Sequence, residues 1–325
     1  MTQVLDIRRQ IATQQPPQCV LFLGTEDDVK YIANLKGLLG GVTCRVITQH
    51  VEYLTQILTY CSKHSITSVI STNTHILKKL IEKTGKTFSG NKQPALSNYA
   101  GSLFTESGIE FVFIDPLKQI TTVNHGRFMA QRYISKITQP ANWKAYPKFS
   151  FQMIEGHNAE QAYEIFKHGF ALACDIETFS DPLSIRCIGF TCITIDVSSN
   201  IRLDSFVLPI DSMWAVIWMR KYLQLSVPKI FQNGKYDISY LSRYGAPPIS
   251  WLWDTANMMH AWYAELPKDL AFLTGFFIRN SMYWKDLAET SDIQEYYRYN
   301  ALDTYGTALV FIEWFLTAPD WERGR

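Results

Sequence analysis

Two rhythms of apolar and polar positions take turns along residues 19–84. The runs CVLFLGT (19–25), TCRVIT (43–48) and TSVIST (67–72) are short, apolar and β-branched, whereas 26–39, 51–64 and 74–84 repeat apolar residues at helical spacing. Strand and helix in alternation predict βαβ units and a mainly parallel sheet covered by helices. A polar stretch at 85–102 leads to a further strand, IEFVFID (109–115), and a helix near 125–137. The segment TQPANWKAYPKF then interrupts both rhythms with two prolines. It places a boundary near 138–150, between an N-terminal domain of residues 1–140 and a second of residues 150–325.

The second domain follows a different order. A helix near 158–168 precedes the strand FALACDIETF (170–179). Two β-rich runs within IRCIGFTCITIDVSSNIRLDSFVLPI are separated by Ser198, Ser199 and Asn200, which read as a hairpin turn. After a helix near 211–225, KIFQN (229–233) reads as a short buried strand feeding a helix that Gly245 ends. From Asp254 the pattern is helical, with Pro267 opening one helix and a Ser291-x-x-Gln294 capping box opening the last long one. Three adjacent strands, then α/β units, then helices predict a mixed sheet. Both domains are therefore expected to be α/β, the first mainly parallel and the second mixed.

Composition narrows the class. The chain of 325 residues is 47% hydrophobic with a net charge of +1, as expected of a globular protein. That charge hides an asymmetry. Residues 1–150 carry 17 Lys/Arg against 9 Asp/Glu, and residues 151–325 carry 14 against 21. A basic half suggests a polyanionic partner and an acidic half bound cations, although a solvated surface explains either. The polar N-terminus lacks a signal-peptide core and no run of about 18 apolar residues occurs, so a cytoplasmic, membrane-free location is expected. Six scattered cysteines without C-x-x-C or zinc spacing read as reduced, mostly buried thiols.

Three elements carry candidate chemistry. Asp175 and Glu177, two apart on a strand, leave the same face, and two carboxylates at one spot call for a cation. The plain alternative is a surface acid pair at a strand end. Asn233 and Asp237 lie four apart at a strand-to-helix junction, where helical spacing gives them a common face, unless Asn233 is a helix cap and Asp237 a solvated first-turn acid. Tyr299 and Asp303, again four apart, share one face of the last helix. A tyrosine hydrogen-bonded to a neighbouring acid would be the ordinary explanation. Asp254 and Asp286 are further acids, better explained as a helix cap and a loop residue.

In this order and spacing, D-x-E-T (Asp175 to Thr178), N-x-x-x-D (Asn233 to Asp237) and Y-x-x-x-D (Tyr299 to Asp303) resemble the DEDD superfamily of 3′-to-5′ exonucleases, in its tyrosine subclass. WDTANMMHAWYAELPKDLAFLTGFF and the following YWKD look like the proofreading domain of family A DNA polymerases, bacteriophage versions in particular, over residues 150–318. The resemblance implies a ribonuclease H-like fold and two Mg²⁺ or Mn²⁺ ions, one held by Asp175, Glu177 and Asp303, the other by Asp175 and, through water, Asp237. It implies that Tyr299 orients the attacking water, that Thr178 contacts the terminal nucleotide and that Asn233 helps place the scissile end. Phe179 and Leu183 are the candidates for the apolar wedge between the last bases.

The implied substrate is a single-stranded DNA 3′ end, and the implied partner is a separately encoded DNA polymerase. The sequence stops where a polymerising domain would begin, which is compatible with a stand-alone enzyme, an editing subunit or a truncated chain. An RNA exonuclease of the ribonuclease D type shares these motifs, and a non-catalytic nucleic-acid or polymerase-binding module is the reading from another class.

The first domain lacks phosphate-loop motifs and is faintly similar to uracil-DNA glycosylases without their catalytic residues. Its expected role is docking through a basic face of Lys78, Lys79, Lys83, Lys86, Arg127, Arg132 and Lys136.

Overall fold

The computed structural model describes residues 17–48, 53–85, 94–179, 184–196, 200–250, 252–281, 283–285 and 292–317. They form two compact units. One comprises the described residues up to Ala145 together with Gly275–Tyr283; the other comprises Tyr146–Thr274 and the described residues from Trp284 onward.

In the first unit, β1 (Cys19–Leu23), β2 (Thr43–Ile47), β3 (Ser68–Ser71), β4 (Leu103–Glu106) and β5 (Ile109–Phe113) form one sheet in the order β2-β1-β3-β5-β4. The β1–β2, β1–β3 and β3–β5 pairs are parallel, as the alternation of strands and helices requires. Val20 to Leu23 and Phe111 to Phe113 are fully buried, which explains why these strands read as continuous apolar runs. The antiparallel strand β4 was not anticipated, because the polar stretch before it masks a four-residue strand. Ser107 and Gly108, with φ of 52° and 76°, make the tight turn that returns β4 into β5.

Asp28, just after β1, is a buried clasp. Its carboxylate accepts from Thr25 N and Oγ1, from Thr72 Oγ1 at 2.6 Å and from Leu117 N at 2.8 Å, tying together the chain beyond β1, β3 and β5.

The expected basic face fails at Lys136, which is fully buried. Its ammonium donates to Gly101 O, Ile278 O and Ser281 Oγ, so the charge serves the interior of this unit. Lys79 pairs with Glu82 and Lys83 with Glu106, while the Arg132 guanidinium lies 3.9 Å from the centroid of the Trp143 ring. Lys86 lies outside the described residues.

The second unit contains β6 (Phe151–Met153), β7 (Ala171–Thr178), β8 (Ile185–Ile195), β9 (Ile201–Pro209), β10 (Lys229–Phe231) and β11 (Leu252–Asp254), in the order β11-β10-β7-β8-β9-β6. The antiparallel β7–β8–β9 meander joins parallel β10 and β11 on one side and parallel β6 on the other. This is the mixed sheet expected from the sequence. The strands β6 and β11 are additions; β10 is as short, but its three residues are all buried and those of β6 and β11 are not. Gly245 ends the helix Lys235–Arg243 with φ +65°. Ser198, Ser199 and Ser291 lie outside the described residues. The last helix, Ile293–Thr317, begins with Asp292 Oδ1 accepting from Gln294 N.

The two faces of β7 see different surroundings. Leu172, Cys174 and Ile176 enter one apolar core with Phe166, Phe190 and Tyr222. Ala171 and Ala173 face the other way, against Ala308, Phe311 and Ile312 of the last helix. Asp175 and Glu177 continue this second register, so strand alternation aims both acids at the last helix.

All six cysteines are unpaired, and Cys61, Cys174, Cys187 and Cys192 are buried. Among the described residues no helix is long and apolar enough to cross a membrane.

Candidate active site

Strand β7 delivers Asp175 opposite Gly189 and Glu177 opposite Cys187, and the β7–β8 register shifts just after Glu177. Gly189 permits close approach by the last helix, since a Cβ there would meet Asn300 Oδ1 at 2.6 Å. The Asn300 amide uses this space to donate to Asp175 Oδ2 at 2.8 Å. Buried hydroxyls reinforce the seam, with Thr191 Oγ1 at 2.9 Å from Thr304 Oγ1 and 2.8 Å from Ser205 Oγ.

The helix thereby sets Asp303 beside the strand acids. Oxygens of Asp175, Glu177 and Asp303 all lie within 4.8 Å of one another. Asp237, buried at the start of the helix Lys235–Arg243, accepts from Ile176 N at 2.9 Å, on the strand between the two acids. Tyr296 donates its hydroxyl to Glu177 Oε2 at 3.3 Å.

Asp303 is held on both oxygens. Trp284 Nε1 donates to Oδ1 and Lys285 Nζ to Oδ2, each at 2.6 Å. The Trp284 ring packs over Gly306, where a Cβ would lie 3.0 Å from it. Lys285 Nζ also donates to the Tyr299 hydroxyl at 3.3 Å.

Four carboxylates thus face one ammonium, and the electrostatics reflect the imbalance. Burial first, then Asp237, Asp303 and Glu177, pushes the Asp175 carboxyl well above the usual carboxylate range. Burial and Asp303 raise Glu177 to about 7, with Lys285 working against the shift. Burial raises Asp237 to about 6 despite the hydrogen bond from Ile176 N. Burial pulls Lys285 down, but the charge and hydrogen bond of Asp303 outweigh it, so the ammonium is held above its ordinary value. Burial and the nearby acids raise the Tyr299 phenol, keeping it protonated.

The donor set fits hard divalent cations. Carboxylate oxygens converge with more negative charge than Lys285 neutralises, and oxygen is the ligand type that Mg²⁺ and Mn²⁺ prefer.

The remaining sequence-derived residues are placed less centrally. Thr178 Oγ1 lies 3.1 Å from the Tyr236 hydroxyl. Phe179 is 51% exposed and lies beside Arg186. Asn233 does not share a helix face with Asp237. It precedes the helix in a left-handed conformation with φ +55°, which asparagine tolerates better than most residues, and Gly234 is the cap. Asp254 secures that turn, accepting from Asn233 N and Gly234 N while capping its own helix through Ala256 N and Asn257 N. Its role is thus structural. Leu183 and Asp286 lie outside the described residues.

Trp284, Lys285, Tyr296 and Asn300 were not singled out by spacing. Asn300 and Tyr296 were discoverable as positions three and seven before Asp303 on one helix. Lys285 was not, because it shares no helix or strand with Asp303, 18 residues on, and no spacing rule relates the two.

Lys285→Met tests the ion pair. Removing the partner of a carboxylate as buried as Asp303 is expected to cost about 3 kcal/mol in the metal-free protein at pH 8. Urea titration in EDTA measures it, and an unchanged midpoint would show that Asp303 does not depend on Lys285.

No family model and no curated protein matches the chain. Among solved structures it is similar to Escherichia coli RNase D, described as an exoribonuclease involved in structured RNA processing. The identity is 16% and the TM-score 0.39, over 52% of this chain and 46% of that one. The match therefore spans less than half the length of RNase D. A second similar structure, described as the apo form of the nuclease, has 16% identity and a TM-score of 0.35, over 53% of this chain and 82% of that one.

Proposed function

We propose that the second unit is a two-metal-ion 3′-to-5′ exonuclease acting on single-stranded DNA ends, in proofreading or DNA processing beside a separately encoded polymerase. The observation that carries the reading is the convergence of Asp175, Glu177 and Asp303 oxygens within 4.8 Å, with Asp237 bonded to the strand between the first two. Acids from three separate motifs meet where a lone surface pair would not need them.

In this reading Asp175, Glu177 and Asp303 hold one divalent ion, and Asp175 with Asp237, through water, holds a second. Such ions supply an activated water and stabilise the leaving 3′ oxygen of an in-line displacement. Asn300 fixes the Asp175 carboxylate by its amide, so that this acid faces both positions. Tyr299 remains a neutral phenol and, steadied by Lys285, orients the attacking water without giving up its own proton. Lys285 compensates part of the charge that four acids bring together. Thr178 and Tyr236 line the rim nearest the terminal nucleotide, with Asn233 on the adjoining turn.

The expected outcome is stepwise shortening of a 5′-labelled single strand in Mg²⁺ or Mn²⁺, with DNA consumed faster than RNA of the same sequence. Faster loss of RNA would move the function to the ribonuclease D type. Binding of both strands without cleavage of either would favour a non-catalytic module.

A further inference from the structure

Arg186 lies on β8 one residue before Cys187, whose backbone pairs with that of Glu177. Its guanidinium carbon is 4.0 Å from the centroid of the Tyr296 ring and 5.5 Å from that of Phe179. The hydroxyl of Tyr296 donates to Glu177, so the ring that Arg186 lies against reaches the carboxylate cluster directly. Arg186 is half-buried, and among the described residues its guanidinium has neither a carboxylate partner nor a hydrogen-bond acceptor. Lys285, by contrast, is committed to Asp303 and Tyr299.

A guanidinium lying against aromatic rings keeps its in-plane N–H donors pointing outward, and that fork matches the oxygens of a phosphate. A half-exposed guanidinium without a protein acceptor leaves its donors to water, which a phosphate can displace. The nearby ring of Phe179 is half exposed, as a surface for stacking a base would be. A polyanionic strand approaching four acids also needs a compensating cation outside the reacting centre.

We infer that Arg186, steadied by Tyr296, binds a backbone phosphate of the single strand outside the scissile bond. This rests on the exonuclease reading above and adds a substrate-positioning residue to it.

The test uses Arg186→Met and Arg186→Lys in the full chain, with thermal melts as the folding control. Binding of 5′-labelled single-stranded DNA in EDTA is followed by anisotropy across a salt series, and hydrolysis in Mg²⁺ gives kcat and KM. Arg186→Met is expected to raise Kd and KM about tenfold, as loss of a charge-assisted hydrogen bond does, with kcat changed by less than about twofold. Its salt slope should fall by about 0.7, the loss of one phosphate contact on a single strand. Arg186→Lys should retain the slope while binding more weakly than wild type. A neutral methylphosphonate, moved through the last linkages, should at one position weaken the wild type and leave Arg186→Met unaffected.

Wild-type Kd and slope in a folded Arg186→Met, or equal methylphosphonate penalties in both proteins at every linkage, overturn the assignment. If the wild type hydrolyses nothing while Arg186→Met still weakens binding in EDTA, the exonuclease reading falls and the phosphate contact stands.

Discussion

Asp175→Asn is expected to make the metal-free protein more stable while removing its response to divalent ions. In EDTA at pH 8 the wild type holds Asp175 among Asp237, Asp303 and Glu177, with burial the largest force raising its pKa. Asparagine removes one charge yet retains an oxygen to accept from Asn300. Relief of roughly 1–2 kcal/mol corresponds to about 3–6 °C in a unit of this size. Millimolar Mn²⁺ should then stabilise the wild type and leave the variant nearly unmoved, since bound ligand stabilises in proportion to its affinity for the folded state. Thermal melts with and without Mn²⁺ read both effects. A variant less stable than wild type in EDTA would show that Asp175 is an ordinary, favourably paired acid.

The second large effect is the pH dependence of that metal response. Glu177 is raised from 4.5 to about 7 and Asp237 from 3.8 to about 6. Between about pH 4 and pH 7 the folded state therefore holds protons that the unfolded chain has released, so the contribution of these groups to stability falls as pH rises through that window. Divalent ions reverse the loss because they bind the ionised carboxylates and compete with protons. The gain in Tm on adding Mg²⁺ or Mn²⁺ should thus be small at pH 5 and reach several degrees at pH 8. Measuring the metal-dependent increment, rather than the Tm itself, separates this effect from Lys136. Burial and two arginines lower that pKa, so stability in the other unit rises with pH instead. A metal increment that is constant from pH 5 to pH 8 would mean that the acids titrate normally.

The sequence made the site legible where period and chemistry coincide. Asp175 and Glu177 were readable as a pair because strand alternation fixes their common face, and Tyr299 and Asp303 because helix spacing does. Asn233, read at the strand-to-helix junction, was wrongly given a common face with Asp237 because spacing of four cannot distinguish a helix from a turn in which one residue is left-handed. Lys285 and Trp284 remained invisible as partners of Asp303, since neither shares an element with it and their approach depends on Gly306 making room for an indole. Lys136 looked like surface charge because nothing local announces three buried acceptors, two of them more than 140 residues away. The parallel pairing of β1, β2 and β3 followed from βαβ alternation, whereas β4, β6 and β11 escaped because, unlike the equally short β3 and β10, they carry no continuous buried apolar run.

The metal dependence of strand shortening separates a hydrolytic centre from a cluster of buried acids. A 5′-labelled single strand is incubated with wild type in Mg²⁺, with wild type in EDTA, and with Asp175→Asn in Mg²⁺. The predicted result is a ladder receding one nucleotide at a time from the 3′ end in the first reaction and intact strand in the other two. The same ladder in EDTA or with Asp175→Asn would contradict a metal centre built on Asp175, Glu177, Asp237 and Asp303.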